Sequence, residues 1–217
     1  TKYMDGHASA VGGCIVDSGK FDWTKYPEKY PGLCTPDESY HGVTYTERFG
    51  IAGAYITKAT AQLMRDFGCC QQAQTAYVLG LGLESLHLRI KRHFENALAV
   101  AKALKDDDRI AWVRFPHLEG DKNYDLAMKY MPSGGCGVVS FGIKGGRPAA
   151  EAFMKQLKLA SIATHVADAH TCVLHPASAT HRQMNDAELI AAGVGPDLVR
   201  LSVGIENVND IIADVEN

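Results

Sequence analysis

The chain has no uninterrupted apolar run of membrane-spanning length; Asp, Glu, Lys, Arg or His breaks every candidate. No signal-peptide pattern opens it. It carries little net charge, formally −3 at pH 7. That leaves no electrostatic reason to expect nucleic acid or an anionic membrane surface as a partner. Six cysteines, Cys14, Cys34, Cys69, Cys70, Cys136 and Cys172, make no CxxC pair and no zinc-type cluster. Adjacent Cys69-Cys70 could close a strained vicinal disulfide. Reduced, partly buried thiols in a cytoplasmic protein are the favoured reading. A Gly-x-Ser-x-Gly nucleophile elbow is missing, as are internal repeats and low-complexity tracts. Gly134-Gly135 and Gly145-Gly146 fit neither a Walker nor a dinucleotide fingerprint, so both read as turns.

What is present suffices for a sizeable core. The 217 residues are 46% hydrophobic and 22% charged, ordinary values for one large globular domain or two small ones. Gly12 to Asp17 reads as a short buried strand after a glycine turn. Residues 18–50 read as irregular, with turn signals at Tyr26-Pro27, Tyr30-Pro31-Gly32 and Thr35-Pro36-Asp37. A helix is expected over Ile56–Phe67, ending near Gly68. A long helix is expected from about Ala73 to Lys105. Its apolar stripe is Leu79, Leu83, Leu86 and Ile90, then Leu98, Ala101 and Leu104. Gly80 and Gly82 predict a bend or a close helix contact.

Alternating units follow. Strands are expected at Ile110–Phe115, Gly137–Gly142, Thr171–Leu174 and Leu198–Val203. Helices are expected at Asp121–Tyr130, Pro148–Leu157 and Asn207–Val215. Helices alternating with short strands predict a small sheet covered by helices, of α/β or α+β type. The domain boundary is placed near Gly82, where the long helix leaves one domain for the next.

Four places carry candidate chemistry. Lysine forms a stable yet exchangeable imine with an aldehyde, and must be unprotonated to do so. Lys2 could serve in that way, or be a frayed, solvated terminal residue. Thr1 beside it could donate to a phosphate oxygen. Arg200 interrupts the apolar run Leu198 to Val203. A buried guanidinium must be paired, and its fork binds a carboxylate in two parallel hydrogen bonds. An edge-strand Arg pointing to water is the equal alternative, since Leu198, Arg200 and Ser202 share a face opposite Val199, Leu201 and Val203. In His175-Pro176-Ala177-Ser178-Ala179-Thr180-His181, His175 reads as part of a hydrogen-bonded turn and Thr180 as a candidate substrate contact. No ligand spacing there supports a metal. His87 and His93, six residues apart on the long helix, cannot chelate together.

Taken in order, several strings are specific. They are Thr1-Lys2-Tyr3, Gly6-His7, Gly13 to Gly19, Tyr40-His41-Gly42, His175 to Ser178, Thr180-His181 and Leu198 to Glu206. Over essentially the whole chain they resemble the second half of the O-acetylhomoserine sulfhydrylases, pyridoxal-phosphate (PLP) enzymes of cysteine and methionine metabolism. The resemblance implies a fold type I, aspartate-aminotransferase-like architecture. Residues 1–82 would be the tail of the PLP-binding large domain, and residues 83–217 a small C-terminal α/β domain with a mostly antiparallel sheet. It implies Lys2 as the Schiff-base lysine and proton carrier, Thr1 on the phosphate, and Arg200 on the substrate carboxylate with Thr180 in support.

The implied reaction replaces acetate in O-acetyl-L-homoserine by sulfide or a thiol, giving homocysteine or methionine. Phe21 to Gly50 is similar to an insertion typical of the sulfhydrylases, which favours them over γ-lyase and cystathionine γ-synthase relatives. Two stretches depart from the family. His165-Val166-Ala167-Asp168 stands where Asn-Val-Gly-Asp or Ser-Leu-Gly is more common, and Cys69 to Gln72 replaces a Ser-Pro-Phe-like stretch. In the family, the pyridinium partner, the ring-stacking tyrosine and the phosphate loop precede the lysine. The expectation is therefore a piece left by truncation, proteolysis or cloning, inactive without its N-terminal half, from a homotetrameric parent.

Overall fold

The structure, a computed structural model, describes residues Thr1–Asn217. Its packing divides the chain into two compact units, Gly12–Ala76 and Thr1–Val11 with Tyr77–Asn217.

In the unit Gly12–Ala76, the stretch expected as a strand is extended coil without ladder partners, and Ile15 and Val16 are exposed. It joins no strand of the sheet. The following stretch is less irregular than expected. Single 3-10 turns occupy Trp23–Lys25 and Glu38–Tyr40, opened by Asp22 and Asp37, whose carboxylates accept amides two residues on. Between them lies α1 (Pro31–Cys34), with proline in its first turn.

Helix α2 (Tyr45–Thr57) starts well before the expected Ile56. Gly50, at φ +66°, breaks its regularity. It continues through a π-helical turn, Lys58–Met64, into α3 (Arg65–Phe67), and Gly68 stops it in the left-handed conformation, as expected. The centre is aromatic. Trp23 stacks on Tyr55 at 5.5 Å, Tyr40 stacks on buried Tyr45 at 5.5 Å, and Leu33 and Ala54 fill the remainder.

The other unit is built on α4 (Ala73–Asp106), from Tyr77 onward, and one five-stranded sheet. In chain order its elements are β1 (Ile110–Arg114), α5 (Tyr124–Tyr130), β2 (Val138–Ile143), α6 (Gly146–Gln156), β3 (Ser161–Ile162), β4 (Cys172–Leu174), α7 (Asp186–Ala191), β5 (Leu198–Ser202) and α8 (Val208–Glu216). The strand order is β1-β2-β5-β4-β3, and every pairing is antiparallel except β3 with β4. The mixed, mostly antiparallel sheet is as expected. Strand β3 and helix α7 were not foreseen.

One face of the sheet is the core. Val139, Phe141, Val173, Val199 and Leu201 meet Ala97, Val100, Ala101 and Leu104 of α4, Ala150 and Met154 of α6, and Ile211 and Val215 of α8. Period-2 alternation then turns Arg200 and Ser202 to the opposite face. Arg200 sits on the middle strand, in register with Ser140 of β2 and Leu174 of β4, so the edge-strand alternative is corrected.

The buried seam of α4 also differs from the expected stripe. Leu79, Ala101 and Leu104 are buried as expected, but Leu83 is 44% exposed and Leu86 and Ile90 are only half-buried. The seam continues instead through Gly82, Arg89, His93 and Asn96 before reaching Ala97 and Val100. These polar side chains are buried because irregular backbone lies against them, and its carbonyls need donors.

Candidate active site

The first six residues form a turn closed by the Gly6 amide donating to the Lys2 carbonyl at 2.8 Å. Gly6 has φ +74°, and a Cβ there would come 2.2 Å from Nη1 of Arg89. The positive φ favours glycine here, and a Cβ would also displace the end of the Arg89 side chain. Gly82 of α4 is the matching small residue: a Cβ on it would lie 2.1 Å from the Met4 carbonyl oxygen. The close approach expected at this glycine is therefore present, and it brings the helix against Met4 and Asp5.

Asp5 is buried and accepts from the Ser9 amide at 2.7 Å, the Ser9 hydroxyl at 2.7 Å and the Ala10 amide at 3.2 Å. Burial alone would raise its pKa. The Ser9 and Ala10 hydrogen bonds outweigh that and hold the carboxyl below its ordinary range. Arg89 lies against the turn but bonds within its own helix, donating from Nη2 to the Gly82 carbonyl at 2.6 Å and from Nε to the Ser85 hydroxyl at 3.0 Å.

Tyr3 ties the segment to the sheet. Its hydroxyl accepts from the Gly137 amide at 2.8 Å, one residue before β2. Burial pushes that hydroxyl up to about 12. The ring packs edge-on against His93 at 5.1 Å. His93 is wholly buried and donates from Nδ1 to the Val203 carbonyl at 2.7 Å, and burial pulls its pKa down. Asn96 donates to the carbonyls of Gly204 and Glu206, both at 2.9 Å. Glu206 in turn accepts from the Thr171 amide at 2.6 Å and the Thr171 hydroxyl at 2.9 Å.

Sequence reasoning missed this network of His93, Asn96, Thr171 and Glu206. The signal was the spacing Arg89, His93, Asn96, three polar residues at intervals of four and three on one helix face.

The loop 163–170 connects the two ends of the candidate site. At one end the Ala169 amide donates to the Gly6 carbonyl at 2.8 Å. At the other, Arg200 donates from Nη2 to the Thr164 carbonyl at 2.8 Å. Between them the Ala167 amide donates to the Ser202 hydroxyl at 2.8 Å. Burial lowers the Arg200 pKa, and its Nε is buried without an acceptor. Lys2 is exposed, and its carbonyl is the part bonded to Gly6. Thr1 is half-buried.

Thr180 is exposed and pairs with Nδ1 of His181 at 2.9 Å rather than with the Arg200 loop. His175 is a structural residue: Nε2 donates to the Pro196 carbonyl at 2.9 Å and Nδ1 pairs with the Ser178 hydroxyl at 2.8 Å. The six cysteines are free thiols. No helix is long and apolar enough to cross a membrane.

The loop 163–170 thus bonds both the turn that carries Lys2 and the strand that carries Arg200. Comparison with known proteins specifies the class. The model of the Cys/Met metabolism PLP-dependent enzymes matches residues 1–217, and the chain belongs to that family. It is 45% identical over 214 residues to the homocysteine synthase of Schizosaccharomyces pombe, covering 99% of this chain and 50% of that protein. It is 42% identical to the O-acetyl-L-homoserine sulfhydrylase of Leptospira meyeri, covering 100% of this chain and 50% of that protein.

A crystal structure of an O-acetylhomoserine (thiol)-lyase from Campylobacter jejuni, containing N'-pyridoxyl-lysine-5'-monophosphate, superimposes with a TM-score of 0.86. That protein is 32% identical, and the match covers 99% of this chain and 51% of the other. The chain thus spans about half the length of the curated relatives it matches.

Proposed function

We propose that the whole protein is a PLP-dependent O-acetyl-L-homoserine sulfhydrylase that replaces acetate by sulfide or a thiol at the γ-carbon, yielding homocysteine or methionine. The observation that carries this reading is the loop 163–170, which joins the Lys2 turn to Arg200 within one compact unit. The donor set fits the cofactor: Lys2 offers an exposed primary amine, and Thr1 adds a hydroxyl beside it. Lys2 would be the covalent attachment point and would then carry protons at Cα and Cβ of the substrate. Thr1 would donate to the phosphate. When bound, PLP supplies the electron sink that stabilises carbanions.

Arg200 would hold the α-carboxylate, with Thr180 at the margin of that site. Both orient the amino acid, so that its reacting carbons face the lysine. Residues 1–82 would be the tail of the large cofactor-binding domain and residues 83–217 the small domain. The parent would be a cytoplasmic homotetramer. The remaining cofactor contacts would lie in the half of the relatives' length outside this chain, so residues 1–217 alone should be inactive.

The test is an assay of the whole protein with O-acetyl-L-homoserine and sulfide, methanethiol, cysteine or no thiol. Thiol-dependent formation of homocysteine or methionine is expected. Preference for cysteine would assign a cystathionine γ-synthase relative, and turnover without thiol a γ-lyase.

A further inference from the structure

The residue after Lys2 is held in a closed circuit of contacts that runs through α4 and the ends of β2 and β5. The Tyr3 hydroxyl accepts from the Gly137 amide at 2.8 Å, just ahead of β2. The Gly137 carbonyl accepts from the Val203 amide at 2.8 Å, just past β5. The Val203 carbonyl accepts from Nδ1 of His93 at 2.7 Å. The His93 ring then meets the Tyr3 ring edge-on at 5.1 Å and closes the circuit. Gly137 permits the fit, since a Cβ there would lie 2.9 Å from the Val203 carbonyl oxygen and 3.1 Å from Cβ of His93.

His93 has no exposed surface, and its Nε2 is buried without a partner. Burial pulls its pKa down, which favours the neutral ring that donates from Nδ1. A buried imidazole with an unused nitrogen is a costly way to pack a helix. What the polar contacts add is direction: they fix the depth and tilt of the Tyr3 ring, where an apolar contact would let it slide. The Tyr3 nitrogen and the Lys2 carbonyl belong to one planar peptide. That carbonyl accepts from the Gly6 amide at 2.8 Å. The peptide is therefore held from both sides, and Cα of Lys2 lies in its plane. The Lys2 side chain itself is exposed, so its amine extends from a fixed root.

We propose that Tyr3 and His93 are positioning residues for Lys2, a latch that fixes the root of the lysine so that its amine meets the cofactor aldehyde in a reactive geometry. The inference rests on the role proposed for Lys2. Both residues act through the Lys2–Tyr3 peptide.

The test uses the whole protein, stripped of cofactor and then given PLP. The amine condenses with the aldehyde carbon and water leaves, so the visible absorbance of the lysine-bound cofactor reports the rate. Borohydride reduction and peptide mass spectrometry identify the lysine, and melting temperatures are read alongside. Tyr3→Phe and His93→Phe keep both rings, and each removes one polar contact. Each should slow attachment about ten- to a hundredfold, the scale for a reacting group displaced by a distant change. The double variant should be no slower than the slower single one, because one broken link already opens the circuit. Val100→Ala, in the core of α4, is the control. Its cavity should lower the melting temperature and leave the rate as in the parent.

A parent rate in either Phe variant overturns the proposal. So does equal slowing in Val100→Ala, which would make the circuit a support of the fold alone. Multiplied effects in the double variant would mean two independent supports and no latch. If His93→Phe does not fold, His93→Asn replaces it: a donor stays near Val203, the ring against Tyr3 is lost, and attachment should again be slower. Attachment of PLP to a different lysine in the parent defeats the Lys2 reading itself.

Discussion

Ala167 is one of three non-glycine residues at positive φ, with Ala8 and His41. At φ +70° its Cβ is strained, yet its amide must reach the Ser202 hydroxyl at 2.8 Å to hold the loop across β5. Left-handed backbone costs a residue with a Cβ about 1–2 kcal/mol, and glycine gives back about 0.5–1 kcal/mol through its unfolded-state entropy. Ala167→Gly should therefore stabilise the protein by about 0.5–1 kcal/mol, read as a higher denaturation midpoint at unchanged slope. A loss of stability would mean that the methyl group packs usefully enough to outweigh its strain. The run His165 to Asp168 was recognised in the sequence as a departure from the family. Its cause was not legible there, because φ is set by the two pins at Thr164 and Ala167, and those are contacts with residues more than thirty positions away.

Two elements depend on a titratable anchor. Tyr3 fastens the Lys2 turn through an accepted hydrogen bond from Gly137, and burial raises its hydroxyl from 10.0 to about 12. The native state thus holds the proton more tightly than the unfolded chain. The contribution is complete below pH 10 and is lost as pH rises from about 10 to about 12. Tyr3→Phe keeps the ring against His93 but leaves the Gly137 amide without its acceptor. It should cost about 1–3 kcal/mol and flatten the alkaline decline. In the unit Gly12–Ala76, Lys58 pairs with Asp37 at 2.6 Å. The Lys58 hydrogen bond, then that from Ser39, hold the Asp37 carboxyl at about 2 instead of 3.8. Its contribution is complete above pH 3.8 and disappears as pH falls towards about 2. Asp37→Asn should remove that acid-sensitive step and cost about 1 kcal/mol at neutral pH. Stability curves of the parent and variant from pH 2 to pH 7 measure it; parallel curves would contradict the assignment.

For the whole molecule, the residues proposed for chemistry make separable predictions. Lys2→Ala in the whole protein should abolish the visible absorbance of the lysine-bound cofactor while leaving the Arg200 site able to take a carboxylate. Arg200→Lys should do the reverse, weakening amino-acid binding by about 1.5–3 kcal/mol with the absorbance intact, because lysine keeps the charge and loses the fork. Residues 1–217 expressed alone should show no turnover. Sequence by itself determined the family, the long helix α4, the order of most strands and helices, and the residues that share a face with Arg200 on β5. Each is written in short-range pattern: period, turn residues, or a motif at fixed spacing. It missed β3, whose two residues are too short for alternation. It also missed α7, although Asn185 and Glu188 form a capping box. The strand expected at Gly12–Asp17 failed because an apolar run makes a strand only where a neighbour accepts its amides. Tertiary structure alone decided that Arg200 lies on the middle strand, that Arg89, His93 and Asn96 rather than Leu83 face inward, and that one loop joins the Lys2 turn to Arg200. Those outcomes follow from pairing buried donors with carbonyls far away in sequence, and no local pattern records which carbonyl will arrive.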